Sequence, residues 1–120
     1  MRFTLVEDEY IIALHMRKCL EREGHLCLGH EAEGEKGVAL VKDTRPDIVI
    51  LDVLLAGRMS GIDTALEIRK FSDSPIIFTT GYTSYDMLRR LEGVANSIVL
   101  SKPVSMAKLF SAIRAFLDGK

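Results

Sequence analysis

The chain has 120 residues with a formal net charge of -1, 48% hydrophobic and 28% charged. That length suits one domain over 1–120 built on one core, and the balanced charge excludes any general attraction to nucleic acid or anionic membrane. No apolar stretch approaches the ~20 residues needed to span a bilayer. Met1-Arg2-Phe3 enters a strand-like run at once, leaving no room for a signal peptide, so a cytoplasmic location is expected. Cys19 and Cys27 form no Cys-x-x-Cys motif and have no metal-ligand spacing with the histidines. They read as two buried thiols in a reducing compartment.

In chain order, Phe3 to Val6 is the first predicted strand. From Glu9 to about Gly24, Ile12, Met16, Cys19 and Leu20 recur at helical spacing while His15, Lys18 and Arg22 populate another face. Gly24 suits a helix C-cap. Leu26 to about His30 predicts a weaker strand, interrupted by Gly29. A second helix is expected over about Gly34 to Thr44, with Val38 and Val41 inward and Pro46 marking its end. Ile48 to Leu51 is apolar throughout, as a parallel strand buried on both faces requires.

Ala56-Gly57-Arg58-Met59-Ser60-Gly61 reads as a loop leading into a third helix, about Ile62 to Phe71. Pro75 opens a fourth strand, Ile76 to Thr80, which Gly81 breaks. A shorter helix follows over about Ser84 to Leu91, then a fifth strand, Ile98 to Leu100. The last helix spans about Ser105 to Leu117, with Met106, Leu109, Phe110, Ile113 and Phe116 or Leu117 as its apolar stripe. Five strand–helix units in so short a chain predict an α/β, flavodoxin-like five-stranded parallel sheet, order 2-1-3-4-5, with helices on both faces. In such sheets the ligand crevice lies beyond the carboxyl ends of the strands, at the switch between the first and third.

Glu7 and Asp8 follow the first apolar run, Asp52 ends the third, and Lys102-Pro103 follows the fifth. A parallel sheet brings three carboxylates and one ammonium to one edge. Each residue also has an ordinary reading: Asp52 as a turn or cap residue, Glu7 and Asp8 as charge at a helix N-terminus, Lys102 as a solvated lysine. The coincidence of all four at the switch point is what those readings leave unexplained. Clustered carboxylates repel unless a cation intervenes, and a few oxygen ligands with open positions for water and phosphate suit magnesium; no soft ligand favours zinc. Thr80 offers a hydroxyl beside the crevice, and Gly81 lets backbone approach an incoming phosphoryl group. Pro103 restricts Lys102 and makes a cis peptide bond a candidate.

Together these residues resemble the receiver domain of two-component response regulators. The resemblance covers essentially the whole chain and rests on Val6-Glu7-Asp8-Glu9, Leu51-Asp52 with Gly57 and Gly61 following, Pro75-Ile76-Ile77-Phe78-Thr79-Thr80-Gly81, and Ser101-Lys102-Pro103. It implies that Asp52 accepts a phosphoryl group from a histidine kinase or phosphotransfer protein. It also implies that Glu7, Asp8, Asp52 and the Leu54 backbone carbonyl hold Mg²⁺, while Thr80 and Lys102 bind the phosphoryl oxygens. Thr80 rather than Thr79 fits the family register. The chemistry is reasonable, since carboxylates with an ordinary pKa near ~4 need no general base to attack phosphorus at neutral pH.

The chain departs from the commonest family pattern at several positions. Val99 stands where many receivers carry a switch aromatic, and Ala56 where the family has Pro. Phe78-Thr79-Thr80-Gly81-Tyr82 is similar to the Phe-Ala-Thr-Gly motif of a receiver subgroup, including stand-alone receivers, that also lacks that aromatic. Neither Leu54 nor Tyr82 would orient a water for attack, so slow self-dephosphorylation is expected, alongside self-phosphorylation from small phosphodonors. The expected signalling surface is the fourth helix, fifth strand and fifth helix, with Tyr82, Tyr85, Arg89, Arg90, Val99 and Lys108 as candidates and a homodimer through that face open. The resemblance implies a regulatory phosphoacceptor rather than an enzyme. A receiver within a larger transcription factor or hybrid kinase, or a phosphorelay intermediate, is the alternative. A haloacid-dehalogenase-type phosphatase would want a second Asp at position 54, and neither a flavodoxin phosphate loop nor a P-loop is present.

Overall fold

The computed structural model describes residues 1–81 and 84–119. Five strands, β1 (Arg2–Val6), β2 (Leu26–Glu31), β3 (Ile48–Asp52), β4 (Ile76–Thr80) and β5 (Ser97–Ser101), alternate with five helices. The helices are α1 (Tyr10–Arg22), α2 (Gly34–Thr44), α3 (Gly61–Arg69), α4 (Tyr85–Glu92) and α5 (Met106–Asp118). All strand pairs are parallel and the order is β2-β1-β3-β4-β5, as expected.

Two apolar clusters sandwich the sheet, and strand alternation divides them. Phe3 and Leu5 of β1, Ile48 and Ile50 of β3 and Ile77 of β4 meet Ala13, Met16 and Leu20 of α1 and Leu109, Ala112 and Ile113 of α5. Val6, Val49, Leu51, Ile76 and Phe78 point the other way, against Val41 of α2, Ile62, Ala65 and Ile68 of α3 and Leu91 of α4. Strands β3 and β4 are buried along their whole length, which is why they read as uninterrupted apolar runs.

Local chemistry sets the helix ends. Arg22 is the last residue of α1, and Gly24 follows at φ 87°. The Gly24 N–H donates to the Glu21 carbonyl and that of His25 to the Leu20 carbonyl, a Schellman closure that needs a residue tolerant of the left-handed region. Three helices start on a serine: the Ser60, Ser84 and Ser105 hydroxyls accept from the N–H groups of Asp63, Met87 and Lys108. At Ser60 the Asp63 carboxylate reciprocates, completing a capping box.

Most element boundaries shift from expectation by a residue or so, and two of the differences have a structural cause. Helix α3 ends at Arg69 rather than Phe71. Phe71 lies exposed past the helix, with the Lys42 ammonium 5.7 Å from its ring centre. Strand β2 runs one residue further than expected, to Glu31, and contains an irregularity: Phe3 pairs with Cys27 but Thr4 with Gly29, leaving Leu28 as the additional residue.

Candidate functional site

The carboxyl ends of β1, β3, β4 and β5 bring distant residues together. Lys102 Nζ lies 3.0 Å from Glu7 Oε1 and 3.0 Å from Asp52 Oδ2. Carboxylate oxygens of Glu7, Asp8 and Asp52 all lie within 4.8 Å of one another. Glu7 and Asp52 are buried while Asp8 faces solvent, so the cluster has a closed, charged floor and one open carboxylate.

Backbone donors hold the acidic side chains. The Glu9 N–H donates to Glu7 Oε2 (3.1 Å), the Leu54 N–H to Asp52 Oδ1 (3.2 Å) and the Ala56 N–H to Asp8 Oδ2 (3.0 Å). The last of these ties the β1–α1 loop to the β3–α3 loop across 48 residues of sequence. Opposite them, the Lys102 N–H donates to the Thr80 carbonyl at 2.7 Å, fixing the base of the lysine against β4. Thr80 is buried at the crevice wall, Gly81 lies exposed beside Lys102, and the Lys102–Pro103 peptide bond is cis.

The electrostatics follow from this crowding. Burial, then a hydrogen bond with Asp52, pushes the Glu7 carboxyl from 4.5 up to about 7 against the opposing pull of Lys102 and the Glu9 N–H. Burial also works against the Lys102 charge, but its hydrogen bonds to Asp52 and Glu7 outweigh that and hold the ammonium above the ordinary lysine value. Three carboxylates against one ammonium leave excess negative charge. A divalent cation with a preference for oxygen ligands would neutralise it, and the donor set offers oxygen alone. The residues present therefore fit a magnesium site.

Of the described site residues anticipated from the sequence, Glu7, Asp8, Asp52, Leu54, Thr80, Gly81, Lys102 and Pro103 lie at this edge of the sheet, Tyr85, Arg89 and Val99 on α4 and β5, and Lys108 on α5, whereas the Arg90 guanidinium turns to Asp63 of α3 at 3.4 Å. The Leu54 side chain is 51% exposed at the mouth of the crevice. On α4, Tyr85 is 72% exposed, with the Arg89 guanidinium 5.9 Å from its ring centre, and Val99 of β5 is 36% exposed. Tyr82 lies outside the described residues. Two contacts have no signature in the sequence: the Asp8 bond to the Ala56 N–H, and a 2.7 Å hydrogen bond from His30 Nε2 to the Glu7 carbonyl. Both join segments that no local sequence pattern connects.

A doubly wound parallel sheet with an acidic triad and a lysine at its switch point defines a class of phosphate-handling α/β domain. The comparisons narrow that class. The family model for the response regulator receiver domain matches residues 3–114, and the chain belongs to that family. It is 33% identical over 112 residues to the transcriptional regulatory protein PdtaR of Mycobacterium tuberculosis, covering 93% of this chain and 54% of PdtaR. It is 36% identical over 114 residues to the transcriptional regulatory protein AfsQ1 of Streptomyces coelicolor, covering 94% and 49%. The signal receiver domain of a modulated diguanylate cyclase from Desulfovibrio desulfuricans G20 superposes with a TM-score of 0.90 at 31% identity, covering 98% of this chain and 94% of that one.

The chain spans about half the length of the curated relatives it matches. Receiver domains are regulatory modules rather than classical enzymes and generally use Mg²⁺ at an acidic site; response regulators partner with histidine kinases or phosphotransfer proteins. No described helix is long and apolar enough to cross a membrane.

Proposed function

We propose that Asp52 takes a phosphoryl group from the phosphohistidine of a histidine kinase or phosphotransfer protein, and that the added charge resets the surface formed by α4, β5 and α5. The observation that most supports this is the Lys102 ammonium, 3.0 Å from both Glu7 and Asp52 with Asp8 alongside. An Asp52 oxygen forms the new bond to phosphorus as the phosphorus–nitrogen bond breaks, its electron pair staying on the donor imidazole. Glu7, Asp8, Asp52 and the Leu54 carbonyl would hold Mg²⁺, which when bound supplies the charge neutralisation that bringing two anions together demands. Lys102 offsets charge on the opposite side, and Thr80 donates its hydroxyl to a phosphoryl oxygen once transfer is complete. That inward pull moves the loop into α4 and re-presents Tyr85, Arg89 and Val99 to a partner protein, a second copy of the chain among them.

The donor's approach has a surface of its own. Tyr10 and Ile11 lie exposed at the start of α1, Ile11 at 80%. Beside them is a groove of about 350 Å³ between α1 and the β5–α5 loop, lined by Ile12, His15 and Met106, with Lys102 and Pro103 in its wall. Apolar surface this near the acceptor suits docking of a protein donor, in the cytoplasm. A small donor such as acetyl phosphate bypasses it.

The length of the relatives favours a second arrangement, in which this receiver governs an output domain elsewhere in a longer protein. The phosphorylation chemistry is the same in both. Incubation with Mg²⁺ and acetyl phosphate, or with beryllium fluoride as a mimic, tests it. The expected result is a Mg²⁺-dependent mass increase at Asp52 with amide shifts around Thr80, both lost in Asp52→Ala. Equal modification of the variant refutes the assignment.

A further inference from the structure

We infer that His30 is a positioning residue for the metal-binding loop: its ring holds the Glu7 backbone, and with it the Glu7–Asp8 carboxylates, in the geometry that receives a divalent cation. This rests on the reading of Glu7, Asp8 and Asp52 as a magnesium site.

Strand β1 ends at Val6, yet Glu7 remains fastened to the neighbouring β2 through both backbone groups. Its N–H donates to the Glu31 carbonyl at 3.0 Å, and its carbonyl accepts from His30 Nε2 at 2.7 Å. A carbonyl can only accept, so Nε2 must bear a hydrogen. A continued parallel ladder would have supplied that donor from the backbone N–H of Glu33, two residues beyond Glu31. Strand β2 ends at Glu31 and turns into α2, so a side chain takes over where the ladder stops.

The irregularity in β2 is what makes this contact available. With regular pairing, Phe3–Cys27 would be followed by Thr4–Leu28 and Leu5–Gly29, placing His30 opposite Val6. Residues paired across parallel strands share a face, and Val6 belongs to the α2–α3 side. The additional residue instead pairs Leu5 with His30, and Leu5 belongs to the α1–α5 side. A one-residue slip thus transfers the imidazole from one face of the sheet to the other. There it meets Tyr10, the first residue of α1, with ring centres 6.4 Å apart. The loop carrying Glu7, Asp8 and Glu9 is therefore bracketed, with His30 on its backbone at one end and Tyr10 against the same ring at the other.

The consequence is specific to cation binding. Both Glu7 side-chain oxygens are already engaged, by Lys102 and by the Glu9 N–H. A loop released at the Glu7 carbonyl can rotate that peptide and carry Asp8 out of reach of Asp52. Residues that orient metal ligands from behind typically change affinity by about 10- to 100-fold.

The test measures Mg²⁺ alone, by calorimetry and by amide shifts of residues 7–9 and 52–56, on the wild type, His30→Ala, His30→Gln and His30→Asn, with urea stability of each. Gln places an amide nitrogen close to the position of Nε2; Asn is too short. The expected result is Mg²⁺ affinity lowered about tenfold in H30A and H30N but close to wild type in H30Q, with ring nitrogen spectra of the wild type showing Nε2 protonated. A purely structural role would track urea stability instead. If the wild type binds Mg²⁺ and H30A or H30N binds it equally well, or H30Q is no better than H30N, the inference fails while the magnesium site stands. If the wild type binds no Mg²⁺, the site itself falls and the inference with it.

Discussion

Glu7→Gln isolates the electrostatic logic of the pocket. The wild-type carboxyl is buried and its pKa is raised from 4.5 to about 7. Between those values the folded protein keeps the proton while the unfolded chain has released it, so the unfolded state binds fewer protons. Stability contributed by this group is therefore fully present below about pH 4.5 and falls as pH rises towards 7. At ~1.36 kcal/mol per pH unit over roughly 2.5 units, the most this group can cost at neutral pH is about 3 kcal/mol. Glutamine keeps an oxygen for Lys102 or the Glu9 N–H but has no proton to lose, so that slope disappears.

Urea denaturation with chelator at about pH 5 and about pH 8 should show wild type losing stability relative to E7Q as pH rises. The two should be close at the lower pH, with E7Q ahead by about 1–3 kcal/mol at the higher. Adding Mg²⁺ should reverse the order at the higher pH, because the cation binds the folded wild type and the amide weakens its site. Parallel curves for the two proteins across this range, without metal, would refute the account of Glu7 as an acid whose burial outweighs the pull of Lys102 and the Glu9 N–H.

Other predictions test separate parts of the structure. In Gly61→Ala the new methyl would meet the Asp52 carbonyl and lie 2.7 Å from the Val53 Cα. Because both obstacles are backbone, we expect a loss of about 2 kcal/mol or more by urea midpoint and slower phosphorylation of Asp52. Ile11→Glu, at a largely solvated position, should leave stability within ~0.5 kcal/mol and acetyl phosphate labelling unchanged, while slowing transfer from a phosphohistidine donor; equal slowing with both donors would contradict a docking role. Leu54→Asn with Tyr82→Glu should shorten the lifetime of phospho-Asp52, followed by radiolabel or intact mass, and an unchanged decay would remove water access as the limiting factor.

The legible parts of this molecule were those whose physics is local or symmetric. Strands buried on both faces must be apolar throughout, so Ile48–Leu51 and Ile76–Phe78 announced themselves. Strand ends in a parallel sheet share one edge, so Glu7, Asp8, Asp52 and Lys102 could be brought together without coordinates. The end of α3 departs from the sequence pattern: helical spacing extends through Phe71, whereas the chain leaves the helix after Arg69 and the ring is satisfied at the surface by the Lys42 ammonium.

What spacing could not deliver was register. Whether His30 faces α1 or α2 depends on a single unpaired residue, Leu28, in an edge strand partly open to solvent. The Asp8 bond to the Ala56 N–H depends likewise on how two loops 48 residues apart are cut to length. These two contacts bind the acidic loop from opposite sides, His30 from the sheet edge and Ala56 from across the crevice. The sequence pattern thus identifies the groups that react, while register and loop length decide how firmly they are aimed. Receivers with the same acidic residues and lysine can accordingly differ in metal affinity through residues that never touch the ion.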